Sequence, residues 1–300
     1  MASIVALVMA IIVAVIWYLV GRTPPPVRDT LIQPDHCVAA AAQYRGTMNP
    51  EQAGNAAIIV GESIRRGLPA RAASIALVTA WQESSLRNLD YGDRDSLGLF
   101  QQRPSQGWGT PEQIMDPWYA AGKFYDEMVK VKNWQTRDLG DVAQAVQRSA
   151  YPDAYAKHES SARAWASNLR GETVAQLTCV ANEGKGGGGD ELIALLTQIW
   201  ADQLKIDRQG MVVTISAPDV TTAWAAAQIS MASLASHGLT SIEVGCMKWT
   251  HKETSPAQWI NVTLANPDEP PLVTPTASSE PSAEPEPVCA QDTQAVVTLR

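Results

Sequence analysis

The sequence predicts an all-helical domain followed by a small α+β domain, after one N-terminal transmembrane helix. Three observations predict it. Between residues 36 and 182, apolar residues recur at helical spacing behind Pro and cap residues that mark helix starts. Between residues 190 and 265, helical stretches are followed by short strand-like runs, the order of a small α+β sandwich. Residues 4–20 are uninterrupted apolar, and a spanning helix needs roughly 17–25 such residues.

Taken in order, residues 1–22 read as a transmembrane anchor. No basic region precedes the apolar run, and Trp17-Tyr18-Leu19-Val20-Gly21-Arg22 offers no small-x-small cleavage site, so the run reads as an anchor rather than a cleaved signal. Residues 23–35 form a stalk in which Pro24-Pro25-Pro26 favours extended geometry. Asn49, Pro50 and Gln52 form a helix start with the spacing of a capping box, followed by a stripe through Ala53, Ala56, Ala57, Val60 and Ile64. Pro69 opens a second helix, through Ala72, Ile75, Ala76, Leu77, Val78 and Trp81, which is apolar nearly all round and therefore central. Thr110-Pro111-Glu112-Gln113 and Asp116-Pro117 are further starts, and helices are expected near 139–149 and 152–168. Between them, residues 88–105 read as a polar loop or short hairpin.

Residues 183–189 are a Gly-rich linker. In the 190–265 domain, helices are expected over 191–204 and 220–237, and strands over 211–216, 242–249 and 258–264. Residues 266–288 are rich in Pro, Ser and Glu and should be disordered. Residues 289–300 hold a C-terminal strand, read as an edge strand over 295–299.

Composition narrows the function. A net charge of -8 argues against nucleic acid, which needs clustered Lys and Arg. The chain has four cysteines, Cys37, Cys179, Cys246 and Cys289, and no CxxC, so disulfides rather than a zinc cluster are expected. Four cysteines allow three pairings, among which the sequence does not choose; Cys37–Cys179 with Cys246–Cys289 closes one loop around each domain. Disulfides need an oxidising compartment. They place the C-terminal body outside the cytoplasm, although Arg22 and Arg28 alone would place it inside by the positive-inside rule. The expected location is thus the cell membrane, single-pass, with the body extracytoplasmic. No metal or cofactor is expected.

The segment richest in chemistry is Ala80 to Gln102. Glu83 falls where the apolar helix ends. The carboxyl end of a helix carries partial negative charge, which disfavours a carboxylate, and burial beside Trp81 or Phe100 disfavours it further. A glutamate so placed can hold a proton for a glycosidic oxygen. Ser84 and Ser85 can bond the carboxyl or the adjoining backbone. Gly98 permits a tight approach of the next turn. Gln101 and Gln102 suit sugar hydroxyls and N-acetyl groups, while Tyr91, Phe100 and Trp108 offer flat faces for sugar rings. Asp90, Asp93 and Asp95 are candidates for a second carboxylate; Asp in a Gly-containing loop more commonly caps turns.

Glu83-Ser84 followed by Gly98-Leu99-Phe100-Gln101 resembles the Glu-Ser…Gly-Leu-Met-Gln signature of the lysozyme-like soluble lytic transglycosylase superfamily, over residues 33–182. The whole chain is also similar to membrane-anchored actinobacterial proteins that carry one such domain, some of them labelled heavy-metal transporters. A single apolar span cannot form a carrier, and no His or Cys cluster is present for metal. The resemblance implies an all-α lysozyme-like domain acting on peptidoglycan glycan strands, with Glu83 as general acid and base and Gln101 lining the cleft. The superfamily's later Ala-Tyr-Asn-Ala-Gly segment falls on Ala145 to Pro152, where Gln147 and Arg148 replace the Tyr and Asn, with Tyr151 and Tyr155 near. Gln147 and Tyr151 are therefore candidate substrate contacts.

Two functions follow. One is a membrane-tethered glycosidase, a lytic transglycosylase working with a single acid or a two-carboxylate hydrolase. The other is a non-catalytic wall-binding or scaffolding protein. The 190–300 region would supply contacts to an envelope protein partner.

Overall fold

The computed structural model describes residues 35–147, 154–180, 188–234, 238–252, 255–262 and 293–299. The expected anchor, residues 23–34 of the stalk, the 183–187 part of the linker, the segment 266–288, Arg148, Tyr151 and Cys289 lie outside the described residues.

The chain begins with a hairpin. Strands β1 (His36–Ala41) and β2 (Tyr44–Met48) pair antiparallel, and β3 (Leu177–Val180) pairs on the other side of β1, giving the order β2-β1-β3. Cys37 lies directly opposite Cys179 in this register, and the two are joined by a disulfide. Cys246 is disulfide-bonded as well.

Six helices follow before β3. Helix α1 (Pro50–Arg65) begins with a complete capping box: Asn49 Oδ1 accepts from the Gln52 amide at 2.9 Å, and Gln52 Oε1 accepts from the Asn49 amide at 2.9 Å. Helix α2 (Ala70–Ser84) is buried without interruption from Ala72 to Ala80, so it runs through the core. Helix α3 (Pro111–Ile114) carries a capping box from Thr110 and Gln113, and α4 (Pro117–Met128) is capped by Asp116, which accepts from the Trp118 amide at 2.9 Å. Helix α5 (Leu139–Gln147) packs on α2, as does α6 (Glu159–Leu169), which also covers β1 and β2. Trp165 donates to the Gly46 carbonyl at 3.2 Å, and any side chain at Gly46 would collide with Ser161.

The remainder is a six-stranded antiparallel sheet, β4 (Lys205–Gln209), β5 (Val212–Ser216), β6 (Leu239–Val244), β7 (Met247–Thr250), β8 (Ile260–Asn261) and β9 (Gln294–Leu299), in the order β4-β5-β9-β6-β7-β8. Helix α7 (Gly189–Trp200) precedes it. Helix α8 (Val220–Leu234) packs on β6 and β9 on one side and on α1 and α6 on the other. Gln228 on α8 donates to the Asn168 and Thr173 carbonyls at 2.7 and 2.8 Å, and Trp259 donates to the Leu177 carbonyl at 2.9 Å.

The fold class is corrected accordingly. The chain is a mixed α/β protein with eight α-helices and two antiparallel sheets among the described residues, and the all-α lysozyme-like expectation for residues 36–182 does not hold. The physical reason lies in composition. Strands β1 and β2 bury Cys37, Ala39, Ala41, Gly46 and Met48 in alternation, and residues this small carry little strand propensity of their own. The two strands pair with each other as a local hairpin, and the partner on the other side of β1 is β3, some 140 residues away in the chain. The C-terminal strand β9 is likewise no edge: it lies between β5 and β6. The single-pass membrane expectation, and the location built on it, are also corrected. No helix among the described residues is long and apolar enough to cross a membrane, and residues 4–20, which carried that expectation, fall outside them.

Candidate active site

Helix α2 ends by a change of backbone hand. Ser85 and Leu86 both have positive φ, 54° and 57°, and the Leu86 amide reaches back to the Ala80 carbonyl at 3.0 Å. Two consecutive non-glycine residues in this region cost conformational energy, so their surroundings must hold them. Helix α1 does so: Gln52 donates to the Ser85 carbonyl at 2.9 Å and Asn55 to the Leu86 carbonyl at 2.8 Å. The result leaves Glu83 in the last turn of α2, facing a cleft of about 930 Å³.

Burial pushes the Glu83 carboxyl above its ordinary range, against an opposing hydrogen bond from Tyr155. The fully buried Tyr155 donates its hydroxyl to Glu83 Oε1 at 2.7 Å. Tyr155 opens a short 3₁₀ turn whose third residue, His158, stacks near Trp81 at 5.8 Å and lies 3.2 Å from Gln82 Oε1. Burial, aided by Lys157, draws the His158 imidazole down to about 4, so it is neutral near pH 7. The turn that carries Tyr155 is therefore docked on the same helix end that carries Glu83.

The facing wall is the Gly98-Leu99-Phe100-Gln101 turn, closed by a bridge between Leu97 and Gln102. Ser84 ties it to α2: its buried hydroxyl sits 2.7 Å from the Leu99 carbonyl and 3.0 Å from the Ala80 carbonyl. Gly98 is required here, with φ 76° and an ideal Cβ only 2.7 Å from the Ile114 carbonyl oxygen. Gln147 at the end of α5 donates to the Phe100 carbonyl at 2.8 Å and lines the cleft.

The residues singled out in the sequence fall into three groups. Glu83, Gln101, Trp108, Gln147 and Asp93 line the cleft. Ser84 and Gly98 shape it from behind. Phe100 and Gln102 face the core: Phe100 is fully buried and stacks on Phe124 at 4.7 Å, and Gln102 donates to the Ala120 carbonyl at 3.0 Å. Neither offers a surface to a sugar. Gln101 is held by bonds to the Tyr91 and Gly98 carbonyls, both 3.3 Å, and its side chain occupies the space a Cβ on Gly92 would need.

The three aspartates differ. Asp95 is engaged in closing its own loop. The Ser105 amide and hydroxyl and the Arg103 guanidinium hold its carboxyl well below the usual range; Arg103 and the Ser105 amide each lie at 2.8 Å. Asp93 has a side chain 93% exposed and an Arg94 contact of 3.9 Å, so nothing holds it in one place. Asp90 is exposed and lies outside the cleft lining.

Sequence reasoning missed much of the cleft. It noted Tyr155 only as a neighbour, yet Tyr155 is the tyrosine that reaches Glu83. It did not consider Lys123 and Glu127 on α4, or Lys130 just beyond, although all three line the cleft. A polar pair at i and i+4 on a helix that is otherwise buried at Phe124, Tyr125 and Met128 was the available signal.

No family model matches the chain, and no curated protein matches it. Chemically, the site holds one partly buried carboxyl that keeps its proton to higher pH than an ordinary glutamate, with one oxygen fixed by a phenol. Neutral amides and an indole line the adjoining space.

Proposed function

We propose that this protein is a peptidoglycan glycosidase, a lytic transglycosylase that cleaves the bond between N-acetylmuramic acid and N-acetylglucosamine with Glu83 as its only acid and base. The observation that carries this reading is the Glu83 carboxyl, pushed up by burial at the wall of a cleft, with Oε1 occupied by Tyr155 and Oε2 left for proton transfer. The Glu-Ser and Gly-Leu-Phe-Gln segments resemble those of soluble lytic transglycosylases, and the Ser84–Leu99 hydrogen bond joins the two.

In the proposed reaction Glu83 donates its proton to the glycosidic oxygen as the bond from that oxygen to the muramic C1 breaks. The muramic 6-hydroxyl then bonds to C1 and returns its proton to Glu83, which restores the acid and leaves a 1,6-anhydro end. A two-carboxylate hydrolase needs a second group held roughly 5–9.5 Å away. Asp95 is committed to Arg103 and Ser105, and Asp93 is unrestrained, which favours the single-acid route.

Binding without turnover is the competing reading. It is favoured by Gln147, whose amide is spent on the Phe100 carbonyl at a position where the superfamily carries other residues. The test is mass spectrometry of purified peptidoglycan digested by the full chain, disulfides intact, beside Glu83→Gln. Anhydro-muropeptides from the native chain alone are expected. Reducing-end products lost with Glu83 would replace the transglycosylase with a hydrolase. No products, with sedimentation on sacculi retained, would leave a binding protein.

A further inference from the structure

The charged groups of the cleft are not all accounted for by one another. Arg103 is paired with Asp95 at 2.8 Å, and Lys130 with Glu127 at 2.6 Å. Lys123 has no carboxylate partner among the described residues. Its ammonium approaches the Tyr119 ring, at 5.8 Å from the centroid. It is half-buried on α4, between the buried Gly122 and Phe124, and lines both this cleft and a second pocket that holds Asp116 and Asp126. Across the cleft, burial pushes the Glu83 carboxyl above its ordinary range, and Glu83 and Lys123 form no ion pair among the described residues.

A neutral sugar chain needs no such group. Hydroxyls and N-acetyl amides can be met by neutral groups that line the same space, the Trp108 indole and the side-chain oxygens of Gln101 and Gln147, whose amide nitrogens are already engaged. A lysine at the wall of a cleft that is ion-paired with no carboxylate there can receive an anion by a charge-assisted hydrogen bond. We propose that Lys123 is an anion subsite of this cleft and takes a carboxylate borne on the muramic substituent, either of an attached peptide or of the bare lactyl group. This rests on the glycan reading above and adds to it that the preferred strand is charged. The Tyr119 ring beside Lys123 is itself held: its hydroxyl donates to the Trp108 carbonyl at 3.2 Å, and an ideal Cβ on Gly109 would lie 2.7 Å from that hydroxyl oxygen.

The experiment measures binding, without turnover, in the Glu83→Gln full chain. Three soluble strands of matched length are compared by calorimetry: peptide-bearing glycan, the same glycan after amidase removal of the peptide, and an N-acetylglucosamine oligomer. The expected result is a preference for a carboxylate-bearing strand over the neutral one. Lys123→Met reduces that preference about tenfold, which corresponds to about 1.4 kcal/mol, and Lys123→Arg retains most of it. The preference also weakens as salt is raised. The strand that shows the preference identifies the carboxylate: the peptide-bearing strand alone points to the peptide, the stripped strand alone points to the lactyl group, which is an amide while the peptide is attached, and both strands show that the subsite takes either. Equal binding of all three strands, or a preference untouched in a folded Lys123→Met, overturns the assignment of Lys123 and leaves the glycan reading standing. Failure to bind any strand removes the glycan reading itself, and this proposal with it.

Discussion

Tyr155→Phe removes one hydroxyl from the core and touches the proposed chemistry through the 2.7 Å donation to Glu83 Oε1. Burial already holds the Glu83 carboxyl above its ordinary value of 4.5, and the Tyr155 bond pulls it partly back. Without the hydroxyl the folded value rises further. A carboxyl raised in the folded state binds more protons folded than unfolded between its two values. Its stability contribution is therefore full below the unfolded value and is lost as pH rises through the folded one. In Tyr155→Phe that loss continues to higher pH. A bond to a neutral carboxyl is worth about 0.5–1.5 kcal/mol, and one to a carboxylate about 1.5–3 kcal/mol. Thermal melts across the pH range should show the variant less stable by the smaller amount in acid and by the larger amount once Glu83 is ionised. At about 2–4 °C per kcal/mol for chains of this size, the alkaline difference is roughly 3–12 °C. The basic limb of the pH profile for glycan cleavage should move upward in parallel. The same destabilisation at every pH, or a basic limb that moves down, would refute the role given to this bond.

Ser84→Ala deletes a buried hydroxyl that joins α2 to the Leu99 carbonyl, and should cost about 1–3 kcal/mol in urea unfolding while lowering cleavage more than stability alone explains. An unchanged cleavage rate would show that the tie does not position Glu83. Gly98→Ala meets both a positive φ and a backbone oxygen at 2.7 Å, so the same unfolding measurement should show a larger loss there than the about 1–2 kcal/mol expected at Gly67, where φ is also positive but nothing lies within 4 Å. Equal losses at the two glycines would leave backbone hand as the whole effect. The Cys37→Ser, Cys179→Ser double variant opens a loop of 142 residues, for which chain entropy alone predicts about 5 kcal/mol. A melting temperature indifferent to this change would mean that the three-stranded sheet does not depend on its cross-link.

The starts of the helices were legible in the sequence because they are local events. Asn49 and Gln52, Thr110 and Gln113, and Asp116 with Pro117 satisfy backbone groups within three residues of themselves, so spacing along the chain is enough to find them. The placement of Glu83 at the end of a buried helix was legible for a related reason: the apolar stripe that ends at Trp81 gives way at once to polar residues. What the sequence left open was which way the side chains after it would face. In the turn from Leu97 to Gln102, neighbouring residues point to opposite sides. Gln101 lies toward the cleft, while Phe100 and Gln102 enter the core against Phe124 and the Ala120 carbonyl, partners that belong to α4.

The sequence by itself thus determined helix starts, a carboxyl at a helix end and the glycine that lets a turn approach it, because each depends on residues a few positions apart. Only the tertiary structure decided that the first half carries a sheet, that the last strand lies inside another, that Tyr155 from 72 residues away bonds Glu83, and that Lys123 forms no ion pair with a carboxylate among the described residues. Strand pairing, burial and the balance of charge across a cleft are set by groups far apart in the chain, and they act only once folding has brought those groups within a few ångströms of each other.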